Sequence, residues 1–478
     1  MLKIFEKLAA LPEKDGYLVL SEDDCRKIEG ASRKIISEVG FKVMHPGMQK
    51  ILQKKGYRMN GEVVKVAPAQ IENLLESIPR PQVIKEPKEG KIFVGYFANQ
   101  IYDAQTDTVR YPTKKDLDQA TIVGLSLPEV ARVNPLFEPK DLPKREDILM
   151  LDVMLRRVEN TRRNEIHNKS SISVMMEMCQ VVSGSKKDVL RKEMLIYYAF
   201  LISPLRYGFE TLELALVCLD EGLPVRFGTP MTIAGATGPV TLAGTLALTL
   251  AESYTGLILA DATGQKWEPG CAPVVMDQTT GATLYCGPDK ALLSMAVGDL
   301  LRYLGFGGGI GHLTQSDECK PGIQAGIEKA YTAMLFLLAG LPPTINNAGE
   351  LGPGGLVGSI EQIVIDAEVI SILNRMVRGI EVNEETIAFE LIKKVGLEGN
   401  YLSEEHTARH FRKELWFPTI IKRLNPSAWN VEKPDMLKEA KKRVTDILSS
   451  CNPKAITREQ EEKLDEILER NGINTNSL

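Results

Sequence analysis

Apolar and polar positions change rhythm several times along this 478-residue chain. Up to about residue 90, apolar positions recur at helical spacing. Ser21-Glu22-Asp23-Asp24 is an acidic helix start, and Ile28, Ile35, Ile36 and Val39 follow it at intervals that share one face. A second helix is predicted near 45–54 and a third over 68–78, closed by Pro79 and Pro81. Residues 91–112 differ: Phe93, Val94, Tyr96, Phe97, Ile101 and Tyr102 alternate loosely with Gly, Asn and Asp, the pattern of an extended hairpin presenting aromatics. From about residue 115 onward, short apolar runs alternate with longer amphipathic ones. The runs predict strands at 132–137, 164–168, 199–204, 224–228, 273–276, 306–311, 344–347 and 378–382, with helices at 144–159, 209–219, 240–259, 289–304, 323–338 and 360–375.

Strand–helix alternation of this kind favours a parallel sheet, and about eight units in one stretch favour closure. The expected fold is therefore α/β: a TIM (β/α)₈ barrel over 113–400, an N-terminal helical extension with the aromatic hairpin over 1–112, and a C-terminal helical segment over 401–478 packed on the barrel. In such a barrel the site lies where the strands end. Those ends offer Phe137, His167, Asn168, Arg206, Tyr207, Thr229, Met231, Gln278, His312, Gln315, Asn346, Asn347 and Glu350. Aromatics, amides and histidines suit holding a substrate better than elaborate acid–base work.

Composition narrows the class. A net charge of -5 shows no basic face for nucleic acid. The most apolar stretch, 238–260, is rich in Ala, Gly and Thr and carries Glu252, which suits a buried barrel helix better than a membrane span. Seven cysteines without a Cys-x-x-Cys pair fit reduced thiols, and Met1-Leu2-Lys3 runs into a mixed polar helix pattern, so a cytoplasmic protein is expected. Gly305-Phe-Gly-Gly-Gly-Ile-Gly311 could cradle a phosphate, but it fits neither nucleotide-binding fingerprint and reads better as a crowded strand end. His406 and His410 share a helix face at ligand spacing, yet the Glu of His-Glu-x-x-His is absent, and no metal is expected. The segment from Tyr96 to Tyr102 either lines a cation site or serves as apolar cover.

Ile202-Ser-Pro-Leu205, Gly235-Ala-Thr-Gly-Pro-Val-Thr-Leu-Ala-Gly244, Ser316-Asp317 with Gln324-Ala-Gly-Ile-Glu328, and Val364-Ile-Asp366 resemble the trimethylamine methyltransferase (MttB-like) superfamily. Tyr102-Asp103, Arg110-Tyr-Pro112 and His406-Thr with Arg412, Glu414 and Trp416 extend the resemblance over nearly the whole chain. It implies a TIM barrel that passes methyl groups to the corrinoid (cobalamin) cobalt of a separate small protein, with no tightly bound cofactor of its own. Only standard residues occur here, so the chain resembles the non-pyrrolysine branch, which implies a quaternary amine substrate, glycine betaine before proline betaine, carnitine or γ-butyrobetaine. A homo-oligomer is expected. Residues 260–281 depart from the usual pattern.

A quaternary nitrogen leaves as a neutral amine, so orientation and exclusion of water can carry much of the catalysis. Candidate catalytic residues are His312 and Gln278; candidate substrate-binding residues are Tyr96, Phe97, Asn99, Tyr102, Arg206, Tyr207, Phe209 and Asn347, with Trp267 also considered. For Arg206 the alternative is an ion pair with Glu210. Two rival readings are a barrel lyase using a Schiff base on Lys320, for which the chain lacks a clear buried lysine, and a non-catalytic betaine-binding protein.

Overall fold

The computed structural model describes residues 18–80, 89–307 and 314–473. The helix Glu22–Glu38 starts in a capping box in which Ser21 and Asp24 satisfy each other's backbone donors. It turns Cys25, Ile28, Ser32 and Ile36 onto the long helix Leu242–Thr263, where Ser32 Oγ donates to the Ala247 carbonyl at 2.9 Å. Leu242–Thr263 is long and apolar enough to cross a membrane, but most of it, Glu252 included, is buried inside the protein. An all-round apolar helix of this kind is an interior element.

Parallel strands form the centre in separate arcs. Lys91–Val94 lies between Thr344–Ala348 and Val130–Val133, parallel to both. Leu195–Ala199 lies between Asn164–Glu165 and Val225–Phe227, again parallel. Ile233–Ala234 pairs in parallel with Val274–Met276, which turns back antiparallel into Thr283–Leu284. After the strands come the helices Lys114–Leu125, Glu146–Arg157, Ile172–Ser183, Phe209–Asp220, Leu242–Thr263, Pro288–Tyr303, Ile323–Leu338 and Ile360–Val377. The architecture is thus a mixed α/β alternation with parallel strands inside and helices outside. Inner and outer faces alternate as the pleat requires: Leu195, Tyr197 and Ala199 join the core under the helices, leaving Tyr198 on the opposite face.

Several expectations need correction. Residues 91–94 pair with the parallel strands, and the hairpin is confined to Gln100–Asp103 and Thr108–Arg110. No strand forms at 378–382. The Ile360–Val377 helix ends just before Gly379, whose φ of 66° turns the chain away, and the alternating Ile380 and Val382 face solvent with no sheet beside them. The 199–204 strand lies earlier, at Leu195–Ala199. Most of the predicted strand 306–311 falls outside the described residues, although Phe306 is buried.

At the C-terminus, Met436–Ser450 packs on Ile360–Val377 and Lys114–Leu125, and Arg458–Arg470 packs on Ile172–Ser183. Buried Glu368 fixes the segment between, accepting from the backbone N–H groups of Thr419, Ile420 and Ile421. All seven cysteines are free thiols.

Candidate functional site

The loops after the parallel strands are held by buried or half-buried carboxylates, each surrounded by donors. Asp147 accepts from the backbone of His167 and Asn168 and from Ser171 Oγ. Glu252, in the middle of the apolar helix, accepts from Ser203 Oγ, Thr232 Oγ1 and the Leu205 N–H at 2.5–3.0 Å. It thereby anchors the segment that follows Leu195–Ala199. Glu328 accepts from Ser316 Oγ and the Asp317 N–H, while Asp317 accepts from the N–H groups of Tyr285 and Cys286. Fully buried Lys329 donates to Asp366 at 2.9 Å and to the Asn347 carbonyl at 3.0 Å. Such groups are tolerable inside because every charge is met.

Above and between the strands lies a group of rings. Tyr96 and Phe97 meet edge to face at 5.5 Å, and Phe97 meets His167 at 5.3 Å. Phe97 holds φ at 55°, uncommon for a side chain of its size, which aims the ring at this cluster. Tyr198 stacks on Phe200 at 6.1 Å. The Tyr96 N–H donates to Glu350, which also accepts from Gln315 Nε2 at 2.8 Å and Asn347 Nδ2 at 2.9 Å. Burial raises the Glu350 pKa.

Glu165 is different. It lines a cavity of about 1050 Å³ that takes in Tyr96, Phe97 and Arg132 and, from segments that precede strands, the cations Arg157, Arg163, Arg191, Lys192 and Lys266. Among the described residues no hydrogen-bond donor reaches its carboxylate; the imidazole Nε2 of His167 lies 4.0 Å away. Burial alone pushes the Glu165 pKa up to about 8. Its carboxylate influences both Tyr96 and Tyr198, whose hydroxyl pKa values are raised chiefly by burial, that of Tyr198 to about 12. Arg132 Nη2 donates to the Tyr96 hydroxyl at 2.8 Å, whereas Arg163 pairs with Glu268 at 2.8 Å.

Comparison with known proteins decides the class. The trimethylamine methyltransferase (MTTB) family model matches residues 8–474. The chain belongs to the trimethylamine methyltransferase family. Relatives of this methyltransferase include a glycine betaine methyltransferase of Desulfitobacterium hafniense (strain Y51), 26% identical, covering 95% of this chain and 97% of that one. A proline betaine:corrinoid methyltransferase of Eubacterium limosum is 27% identical with the same coverage. The trimethylamine methyltransferase MttB of Methanosarcina thermophila is 25% identical over 92% and 94%. One solved structure, the hydroxylamine MtmB complex, aligns over 93% of this chain and 97% of its own at 11% identity and a TM-score of 0.42, too low to decide the architecture.

Within this family member, the sequence-derived candidates separate. Tyr96, Phe97 and Asn347 come together around Glu350, and Asn99 lies half-buried just beyond them. Tyr102 is buried beside Ala325, Leu351 and Val357, its hydroxyl donating to Asp107 at 2.8 Å. Tyr207 is fully enclosed among Phe41 and Phe227 and accepts from Thr255 Oγ1 at 3.4 Å, a core position. Trp267 is buried likewise, its Nε1 donating to the Ser253 carbonyl. Phe209 packs on His45 at the surface, 4.6 Å away. Arg206 is exposed and makes no ion pair with Glu210 among the described residues. Gln278 sits on an exposed turn, with only long contacts to the Gly235 and Met276 carbonyls. His312 lies outside the described residues. Lys320 is exposed beside Asp107; among the described residues the fully buried lysines are Lys290 and Lys329, which the sequence did not reveal. His406 and His410 both face Glu385, and among the described residues no group of three metal-type side chains gathers.

Glu165, Tyr198 and Phe200 were missed. Tyr198 and Phe200 carry a usable signal: the run Leu195-Ile-Tyr-Tyr-Ala-Phe200 puts them on one face once the strand starts at 195. Glu165 carried none, because nothing in the sequence shows that its partners are absent.

Proposed function

We propose that this methyltransferase takes a methyl group from a quaternary amine, glycine betaine first, and passes it to the Co(I) corrinoid of a separate small protein in the cytoplasm. The arcs of parallel strand are read as parts of one closed (β/α)₈ barrel, with the ring cluster in its mouth and Glu165 deeper inside. One observation carries the reading: a carboxylate that lines a cavity beside aromatic rings, with no donor of its own among the described residues. A permanent cation that cannot donate hydrogen bonds suits such a group, because it offers charge without geometry. Each ring face adds about 0.5–2 kcal/mol, more as water is excluded.

In this reading Glu165 supplies the counter-charge, and Tyr96, Tyr198 and Phe200 supply faces for the –N(CH₃)₃⁺ group. Arg132, already held by the Tyr96 hydroxyl, receives the substrate carboxylate. No residue need give a proton to the leaving group: the C–N electron pair stays on nitrogen, and a neutral tertiary amine departs. When bound, the partner's corrinoid supplies the nucleophilic electron pair that accepts the methyl carbon. The chain fits such an acceptor in one respect: Phe200, Ile202, Met231, Val240 and Leu356, all following parallel strands, leave large apolar surface exposed at that end.

Incubating the protein with Co(I) cobalamin and each betaine in turn tests the proposal by absorbance. Conversion to methyl-Co(III) with a quaternary amine is expected; no conversion with any of them contradicts it. Tight betaine binding without any transfer would select the non-catalytic rival.

A further inference from the structure

The polypeptide between 380 and 432 forms an arm with no interior of its own. Its four short helices, Glu384–Ile387, Phe389–Val395, Glu405–Glu414 and Pro426–Glu432, contain no buried residue. Large apolar side chains point outward instead: Ile380, Val382, Phe389, Leu397, Leu402 and Val431 are each about two-thirds exposed or more. These six alone present roughly 500 Å² of apolar surface at about 100 Å² per fully exposed side chain. The half-exposed apolar residues between them bring the arm close to the about 800 Å² that each partner gives to a stable interface.

The arm is nevertheless firmly seated. Arg375 Nε and Arg378 Nη2 both donate to the Glu414 carbonyl, and Trp416 Nε1 donates to Ser371 Oγ at 2.9 Å. These anchors mark its position. Asn374, next to Arg375, exchanges hydrogen bonds with the backbone of Gly90, which immediately precedes Lys91–Val94. The arm therefore sits by the N-terminal ends of the parallel strands. Under the methyl-transfer reading, the corrinoid protein must approach the opposite ends, so it is not what covers the arm. The surface is also nearly balanced in charge, with nine acidic and seven basic side chains between 380 and 432. Two such surfaces can meet without net repulsion.

We propose that the arm is the interface with a second copy of this chain, packed symmetrically arm against arm. The occupant is present whenever the chain is made, and pairing there leaves the strand ends that hold the rings open. Sedimentation of the full-length protein at micromolar concentration tests this without reference to activity. The wild type is expected at twice the mass of one chain or a higher multiple. Leu397→Asp with Leu402→Asp, and separately Phe389→Asp, should lower the mass, to that of one chain if no other interface exists, with the circular dichroism spectrum unchanged because these side chains are exposed in each subunit. A monomeric wild type, or arm variants that keep the wild-type mass, would overturn the inference.

Discussion

Glu252, fully buried on the long helix, and Glu165, largely enclosed at the end of a parallel strand, could hardly be treated more differently. Glu252 is wrapped by Ser203, Thr232 and the Leu205 backbone. Glu165 has no donor among the described residues and borders a cavity. The same contrast separates Asp147, Glu328, Asp366 and Glu368 from Glu165. A carboxylate saturated by the protein is scaffolding, since it is already spoken for; one left unsatisfied beside a cavity is poised for a ligand.

The largest expected effect comes from breaking the saturated set. Lys329→Met leaves Asp366 buried without its cation and should cost about 3–5 kcal/mol of stability in a denaturant titration. A change under 1 kcal/mol would show that the pair is not part of the core scaffold. Next, Glu165→Gln removes the counter-charge but little volume. It should weaken betaine binding at least tenfold by calorimetry while leaving the fold intact, and unchanged affinity would detach Glu165 from the ligand.

The comparison sharpens with pH. Glu165 has a raised pKa in the fold, so its neutral form is the one the empty protein favours. Its contribution to stability is complete below the ordinary glutamate range and is lost as pH rises through about 8. The unliganded wild type should lose on the order of 4 kcal/mol relative to Glu165→Gln across that window, less whatever water reaches the carboxylate through the cavity. Binding should run the other way, because a cation favours the ionised form: affinity strengthens with pH up to about 8 and then levels off. A flat profile would break the assignment. Smallest is Tyr96→Phe, which keeps the ring but frees Arg132; binding should fall by about 1 kcal/mol for a betaine and hardly at all for a quaternary amine lacking a carboxylate.

Much of this was legible in the sequence. The alternation of short apolar runs with helical stretches gave the strands at Val225–Phe227, Val274–Met276 and Thr344–Ala348 nearly where they lie. The first strand was lost because Lys91–Val94 precedes an aromatic hairpin and shares its local pattern; only its partners at 130–133 and 344–348, far off in sequence, identify it. The motifs behind the family resemblance proved to be strand-end scaffolding: Ser203 meets Glu252, Ser316 and Asp317 meet Glu328, and Asp366 meets Lys329. They revealed the family without revealing the ligand. Aromaticity together with a place in the hairpin or at a predicted strand end singled out Tyr102 and Tyr207, which spend their rings on packing, because sequence does not record which face of a strand looks inward.

The most direct measurement is proton release on binding. Glycine betaine, proline betaine, carnitine and γ-butyrobetaine would each be titrated by calorimetry at pH 7 in buffers of different ionisation enthalpy. The account predicts that a ligand that binds wild type expels about one proton per site and that Glu165→Gln expels none. Binding with no proton release, or with equal release from the variant, would contradict it.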